Sequence, residues 1–518
     1  MTLDEILNTN AGDIHSPVPS TRTLTSEQSA WIEEVCAGRG CFLSARAGTG
    51  KTTTIVEACN ECASRGLSLP AVIAFNKRIA EELKTRLPAG TQVQTLHSLG
   101  FATLRDFARS ARVNPSKTYD LLSKKHLRNT PQKPKRWKDT YALVGLLKAF
   151  GYIPSDAPSL FRSLSLLPAD DLGELCVQHR LFDADPEIAV ETLRESLQTF
   201  LSAQEIDYSD MVYLPYALGL RPKIFASKLL IDEAQDLSHL DLSFLSRAEC
   251  ALFPVGDPFQ SLYGWRGAVP DILKRLRLRE FPLTNCWRCG SEIIRCAQSW
   301  VPDIRAGRSE AGQVEWLTEF PDFRALEPAV VLSRTNADLI DLALPLLSRG
   351  SPVCFLGKNF AEDLIEDLKG FKANGAEGLR AEIDSWASSM GAKYPQLDFE
   401  FKNKAKILLG LLTLYPNKPA LISTLSTLFS DSPRPGAWVF STVHASKGLE
   451  FPEVYLAAWE QKEYDSDSDH RNLMYVAITR AKDSLRFFDL KEPEHQKPVF
   501  DSTSYGERRT ECSDNFLF

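Results

Sequence analysis

The sequence predicts an α/β protein with two parallel-sheet cores and helical insertions, on three observations. Short apolar runs recur along the chain at Cys41–Leu43, Ala71–Phe75, Lys228–Ile231, Leu252–Val255, Ala329–Leu332, Trp438–Phe440, Val454–Leu456 and Leu485–Phe488. Runs of this length, separated by helix-like stretches, read as strands buried on both faces of parallel sheets. Polar, chemistry-bearing residues follow several of these runs at once, where an α/β sheet presents its functional side chains. The runs also cover too long a span for one sheet, while residues 102–204 and 376–435 carry helical periodicity without such runs.

The expected division follows from these runs. Residues 1–25, rich in Thr, Ser, Asn and Pro, form a flexible tail. Residues 26–101 with 205–280 form the first core, and 102–204 a helical insertion. Residues 281–375 with 436–490 form the second core, 376–435 a small helical insertion, and 491–518 a C-terminal tail.

The first run leads into the most informative stretch, Ser44-Ala-Arg-Ala-Gly-Thr-Gly-Lys-Thr-Thr53, and a helix-like run follows it. Strand, Gly-rich loop and helix are the context of a phosphate loop. Gly48 and Gly50, with Thr49 between them, let backbone N–H groups turn toward phosphate oxygens. Lys51 adds a charge for the β- and γ-phosphates, and Thr52 offers a hydroxyl to Mg²⁺. The helix start adds a partial positive charge. The implied ligand is a nucleoside triphosphate, ATP, with Mg²⁺. Far downstream, Asp232-Glu233 follows the apolar run Lys228–Ile231. Asp232 suits a water-mediated contact to the metal, and Glu233 suits polarising the attacking water.

Composition bounds the class. A hydrophobic content of 43% with 25% charged residues over 518 positions is that of a globular protein with ample core. A net charge of −7 argues against a wholly basic nucleic-acid coat and leaves room for a local basic groove. The chain holds no apolar run of about eighteen residues, and Met1–Glu5 is acidic, so the expectation is an intracellular, cytoplasmic protein without a membrane partner. The eleven cysteines are expected to be buried or half-buried thiols, because Cys59/Cys62 and Cys286/Cys289/Cys296 lack the matching clusters of zinc sites.

The order of motifs resembles a superfamily 1A DNA helicase of the UvrD/Rep/PcrA type, in a compact form. Leu24-Thr-Ser-Glu-Gln28 resembles the adenine-reading glutamine motif. Ala74–Arg78 and Thr95–Gly100 resemble DNA-contact motifs, and Glu205–Asp210 a segment preceding the Asp-Glu strand. Val255–Ala268, Asn285-Cys-Trp-Arg288, Thr442–Phe451 and Met474–Lys482 complete the set, in order, across residues 24–482. The resemblance implies two RecA-like P-loop NTPase cores, ATP hydrolysis coupled to movement on single-stranded DNA, and 3′-to-5′ polarity. Only about sixty residues, 376–435, are available for the accessory insertion that enlarges the second core in longer members.

Within that frame each residue has an expected task. Gln28 and Trp287, which replaces the usual tyrosine, hold adenine, and Glu450 takes the ribose hydroxyls. Gln260 hydrogen-bonds the γ-phosphate. Arg288 and Arg480 fit planar forks on phosphate oxygens and stabilise charge in the transition state. Their distance in sequence from Lys51 points to the second core. Phe75, Tyr263 and Trp265 suit base stacking, which is tolerant of sequence. Asn76, His97, Arg266, His444 and Lys447 suit backbone phosphates. A core position for Phe75, and a backbone-carbonyl partner for His97 or His444, are the competing readings.

The stretch Lys117–Lys138, including Lys124, Lys125, Arg128, Lys133, Lys135 and Arg136, reads equally as a nucleic-acid face or a solvated charge run. The expected partners are single-stranded DNA, single-strand/duplex junctions, and replication, repair or nuclease proteins. Two alternatives to strand separation stay open: a translocase that strips proteins from single strands, and an ATP-gated subunit of a nuclease or replisome assembly.

Overall fold

The computed structural model describes residues 23–126, 134–161, 172–179, 181, 183–262, 276–317, 321–323, 326–393, 398–432, 434–458 and 467–489. The chain divides into two compact units. The first comprises residues 1–312, 386–402 and 464–483, and the second 313–385, 403–463 and 484–518.

The strands of the first unit, in chain order, are β1 (Cys41–Ala45), β2 (Ala71–Ala74), β3 (Val93–Thr95), β4 (Arg112–Val113), β5 (Glu205–Ile206), β6 (Lys228–Ile231), β7 (Ala251–Gly256), β8 (Arg279–Leu283), β9 (Asn285–Cys286) and β10 (Arg305–Ala306). Six of them form one sheet in the order β3-β2-β6-β7-β1-β8, and its neighbours run parallel. Register brings Leu43 opposite both Val255 and Phe281, and Val72 opposite Leu230.

Strands β1, β2 and β6 are buried at every residue, which is why they read as continuous apolar runs. Alternate side chains go to opposite faces. Phe42, Ile73, Leu229 and Ile231 join one core cluster, and Leu43, Val72 and Leu230 the other. The first cluster also holds Leu143, Leu147, Leu193, Leu197 and Phe200, from helices Pro134–Ala149 and Pro186–Ala203. The expected insertion 102–204 therefore shares its core with the first sheet. It also contributes β4, which pairs with β5 through Arg112 and Glu205.

The boundary expected between residues 280 and 281 falls inside β8, the edge strand beside β1. Residues 281–312 and 464–483 belong to the first unit, not to the second as the sequence division had them. Edge pairing is the reason: β8 continues the first sheet and carries the chain onward from its carboxyl edge.

Four buried charges pin the insertion down. Lys117 and Lys148 each lie 2.7 Å from an Asp210 carboxylate oxygen, and Lys148 is 3.0 Å from Asp207. Thr118 and Ser209 donate to the same Asp207. Burial alone would push the Lys148 ammonium down, but Asp210 and Asp207 outweigh it and hold the group above its ordinary value. Lys117 therefore leaves the proposed basic face, because it is buried against Asp210. Arg136 pairs with Asp185. Arg128 and Lys133 lie outside the described residues.

The second unit holds β11 (Gln313–Trp316), β12 (Val330–Ser333), β13 (Val353–Leu356), β14 (Phe429–Ser430), β15 (Trp438–Thr442), β16 (Phe451–Ala458) and the end of β17 (Ala481–Asp489). They form a seven-stranded sheet, β11-β17-β16-β12-β15-β13-β14. Strand β12 pairs parallel with β15 and β16, β13 with β14 and β15, and β11 with β17. Its core is aromatic: Phe323 meets Trp438, Tyr455 and Phe488 edge-on, and Phe355 stacks on Phe440. Two parallel α/β sheets match the fold class expected from the sequence. Among the described residues no helix is long and apolar enough to cross a membrane.

Candidate active site

Parallel strands place all their carboxyl ends at one edge of a sheet, and the first unit gathers its polar residues there. After β1 the chain runs through Arg46–Gly50 into the helix Lys51–Ser64. Gly48 and Gly50 have φ of +65° and +89°, the left-handed conformation that glycine adopts without steric cost. Thr49 is buried and donates to the Arg46 carbonyl at 2.8 Å. The loop is thus held from within, with the helix N-terminus behind it.

From Lys51 a ring of polar contacts returns to the same loop. Lys51 Nζ lies 3.5 Å from Glu233 Oε2. Gln235 Nε2 donates to that oxygen at 2.7 Å, and the backbone N–H of Asp257 donates to Gln235 Oε1 at 3.1 Å. Asp257 Oδ2 accepts from Gln260 Nε2 at 2.8 Å and from the Tyr475 hydroxyl at 3.2 Å. The Tyr475 oxygen accepts the Ala47 N–H of the phosphate loop at 2.8 Å. Gly256 leaves room for this ring, since a Cβ there would sit 2.5 Å from Gln235 Oε1.

The ring encloses carboxylates in a dry place. Burial first, and then the Glu233 charge, push the Asp232 carboxyl up to about 7. Burial also raises Asp257, against the pull of Lys51 and Arg46. Glu233 sits at φ +49°, a strained conformation for a side-chain-bearing residue, and its N–H donates to Asp232 Oδ1 at 3.0 Å. Arg46, buried, forms a forked pair with Asp303 at 2.8 and 2.6 Å and lies over the Phe259 ring.

Arg288 and Arg480 are placed differently from expectation. Both belong to the first unit, where β8 delivers the segment 285–289 onto the phosphate loop. The Trp287 N–H donates to the Gly48 carbonyl at 2.8 Å, and a Cβ on Gly48 would meet Arg288 Cβ at 2.5 Å. Arg288 Nη1 donates to the Thr479 carbonyl at 3.3 Å, next to Arg480. Burial, and then the charge of Arg288, hold Arg480 down at about 10. Sequence separation was a poor guide because the helix Asp467–Ile478 docks on the loop through Tyr475.

On the adenine side, Trp287 is 52% exposed and its indole lies over Gly307, where a Cβ would approach Cδ2 to 2.8 Å. Gln28 is buried. It completes a capping box with Thr25 and donates to Thr54 Oγ1 at 3.1 Å in the helix after the phosphate loop.

Of the residues expected at DNA, Phe75 is 51% exposed directly after β2, so a core position is excluded. Asn76 caps the helix Lys77–Arg86, its Oδ1 accepting the Ile79 N–H. His97 is exposed just past β3, the neighbour of β2. Phe75, Asn76 and His97 thus share the carboxyl edge with Lys51. Tyr263, Trp265 and Arg266 lie outside the described residues. In the second unit, His444 and Lys447 are half-buried in the turns after β15, and Glu450 is exposed before β16.

Sequence reasoning missed Gln235, Asp257 and Tyr475 as members of the site. Each stood inside a quoted motif, and a tyrosine among Leu473-Met-Tyr-Val-Ala-Ile478 was the available signal. Arg46 had none.

A model of the UvrD/REP helicase N-terminal domain matches residues 24–279, and one of the UvrD-like helicase C-terminal domain matches residues 437–487. The chain belongs to the UvrD/Rep helicase family. It is similar to the F-box DNA helicase protein 1 of Schizosaccharomyces pombe, at 25% identity over 91% of this chain and 58% of that protein. It is also similar to a probable DNA helicase of Mycoplasma pneumoniae, at 24% identity over 89% and 82%, and to the ATP-dependent DNA helicase Rep of Buchnera aphidicola, at 25% over 50% and 42%. The chain thus spans little more than half of the first of these relatives. The N-terminal match covers the phosphate loop, Asp232-Glu233 and Gln260, and the C-terminal match covers His444, Lys447, Glu450 and Arg480.

Proposed function

We propose that this member of the UvrD/Rep family is an ATP-driven DNA helicase that moves on single-stranded DNA, 3′ to 5′, and separates duplex strands. The observation that carries the reading is the closed ring from Lys51 through Glu233, Gln235, Asp257 and Tyr475 back to Ala47, set at one sheet edge beside Phe75 and His97.

In this reading the backbone of Gly48–Gly50 and Lys51 hold the β- and γ-phosphates, and Gln28 and Trp287 hold the adenine. Glu233 orients the attacking water and takes its proton, while Gln235 fixes the Glu233 carboxylate. Gln260 meets the γ-phosphate, and its bond to Asp257 passes the loss of that phosphate to the rest of the ring. Arg288 and Arg480 stabilise the charge that develops on the transferred group. Glu450 takes the ribose hydroxyls.

The donor set fits Mg²⁺: two neighbouring acidic groups lie at the site, one buried and pushed up to about 7, which a divalent cation would relieve. Thr52 and, through water, Asp232 would hold it, and it supplies charge neutralisation on the phosphates. For the strand, Phe75, Tyr263 and Trp265 stack on bases, and Asn76, His97, Arg266, His444 and Lys447 hold phosphates.

The test is strand displacement on duplexes with a 3′ or a 5′ single-stranded tail, with Lys51→Ala as control. ATP-dependent displacement of the 3′-tailed substrate alone is expected. Activity on 5′ tails alone overturns the polarity. ATP hydrolysis stimulated by single strands without displacement assigns translocation instead, and no stimulated hydrolysis at all overturns the reading.

A further inference from the structure

The segment Cys286-Trp287-Arg288-Cys289 carries two cysteines two residues apart, and neither has a task in nucleotide binding or hydrolysis. Both are fully buried. Their thiols are hydrogen-bonded to each other, and the backbone N–H groups of Arg288 and Cys289 also point at the Cys286 sulfur. The Cys289 sulfur lies 3.8 Å from the Thr479 carbonyl. On its other side the Cys286 sulfur abuts the phosphate loop, 2.9 Å from where a Cβ on Gly48 would sit. A thiol pair with this spacing, cradled by N–H donors beside a guanidinium, has the surroundings of a redox-active dithiol.

The two sulfurs are unlike each other. The hydrogen bond from Cys289, then the N–H donors and the Arg288 charge, outweigh burial and bring Cys286 down to about 7. The bond to Cys286 and burial push Cys289 up. Burial pushes Cys41, Cys59 and Cys296 up to about 12. One sulfur of the pair is thus set up as thiolate and its neighbour as thiol.

We propose that Cys286 and Cys289 form a thiol–disulfide modification site through which a peroxide switches off nucleotide turnover. The regulatory half of this proposal rests on the ATP-site reading above. The Cys286 thiolate attacks one oxygen of hydrogen peroxide. The O–O bond breaks, Cys286 becomes a sulfenic acid, and the departing hydroxide takes up the proton that the thiol had released. Cys289 then attacks the Cys286 sulfur, an S–S bond forms, and the S–O bond breaks with loss of water. In sum, two thiols are oxidised to a disulfide and one peroxide is reduced to two waters; a dithiol reductant reverses it.

Closure requires the sulfurs to move from hydrogen-bond distance to about 2.05 Å. Cys286 is seated on Gly48, and the next residue, Trp287, is bonded to the Gly48 carbonyl, so closure shifts Trp287 and Arg288 against the phosphate loop. A displacement of about 1 Å at a positioning group costs up to about 10²-fold in rate.

The experiment uses the full chain, reduced, then treated with graded hydrogen peroxide and afterwards with dithiothreitol. Single-strand-stimulated ATP turnover is followed beside peptide mass mapping. Expected are a Cys286–Cys289 disulfide, a fall in turnover of about tenfold to 10²-fold in step with it, and recovery on reduction. Cys289→Ser should form no disulfide and should instead yield a Cys286 sulfenic acid that dimedone traps. Cys36 and Cys62, whose sulfurs lie 3.8 Å apart, are the competing pair, and Cys36→Ser should leave the response unchanged. A disulfide confined to Cys36–Cys62, no disulfide at Cys286–Cys289, or that disulfide with full turnover overturns the proposal. If the reduced parent hydrolyses no ATP, the ATP-site reading fails, while mass mapping and dimedone trapping still decide the thiol chemistry.

Discussion

Gly48 offers a perturbation whose backbone and contact costs separate cleanly, because Gly38 serves as its control. Both glycines have left-handed φ, +65° and +70°. Gly38 ends the helix Ser26–Ala37, and a Cβ built on it meets nothing within 4 Å. Gly38→Ala should therefore cost only the left-handed penalty, about 1–2 kcal/mol. Gly48→Ala carries the same penalty and a collision besides, with Arg288 Cβ at 2.5 Å and Cys286 Sγ at 2.9 Å. To restore ordinary contact Arg288 must retreat by about 1 Å, and overpacking of this kind costs about 1–3 kcal/mol more.

The retreat also moves Arg288 and Trp287 away from the phosphates, so ATP turnover should fall by about 10²-fold. Denaturant unfolding and steady-state ATPase on both variants read the two effects. Expected is a Gly38→Ala protein that is less stable but turns over ATP like the parent, and a Gly48→Ala protein that loses more stability and most of its turnover. Equal stability and equal turnover in the two would show that segment 285–289 is not held against the phosphate loop.

Four further outcomes follow from the same geometry. Lys51→Ala should abolish ATP turnover while single-strand binding without nucleotide survives, as measured by fluorescence anisotropy. Glu233→Gln should cut hydrolysis by orders of magnitude with nucleotide affinity roughly kept; affinity lost together with turnover would make Glu233 a structural residue. Lys148→Met should destabilise the protein by about 3–5 kcal/mol, since it strands Asp207 and Asp210 in the interior; an unchanged unfolding midpoint would refute the buried network. For Asp232, whose carboxyl is raised from 3.8 to about 7 in the folded protein, the protonated form is the favoured one. Its contribution is full below the unfolded value and is lost as pH rises through about 7, so nucleotide-free stability should decline across that window and Asp232→Asn should flatten the decline.

Legibility in the sequence tracked burial on both faces. Strands β1, β2 and β6 read directly because every residue is apolar or buried, and the phosphate loop and Asp232-Glu233 came with them. Strand β8 did not read, since Arg279, Glu280 and Pro282 face outward on an edge strand and only Phe281 and Leu283 are buried. That omission also misplaced Arg288, because the strand that delivers it was not recognised. Lys117 went wrong for a different reason. Its partner Asp210 lies 93 residues away, and nothing in a local run of lysines distinguishes a buried ammonium from a solvated one. Asp257 and Tyr475 stood 218 residues apart and became one site only in three dimensions.

That pairing bears on how a change at a phosphate reaches the strand. Isolated charges at a sheet edge would bind a nucleotide but report nothing. Here Lys51, Glu233, Gln235, Asp257, Tyr475 and Ala47 are joined end to end, so movement of one member must be answered by the next. The ring also touches the edge where Phe75 is exposed: the Asp232 N–H donates to the Ile73 carbonyl at 2.9 Å, two residues before Phe75 on the same strand. A low-dielectric interior makes each of these links stiff and each broken link costly. The acid that would carry the metal and the aromatic that would carry a base therefore hang from one pair of hydrogen-bonded strands. Loss of the γ-phosphate at one end has a short, buried path to the strand at the other.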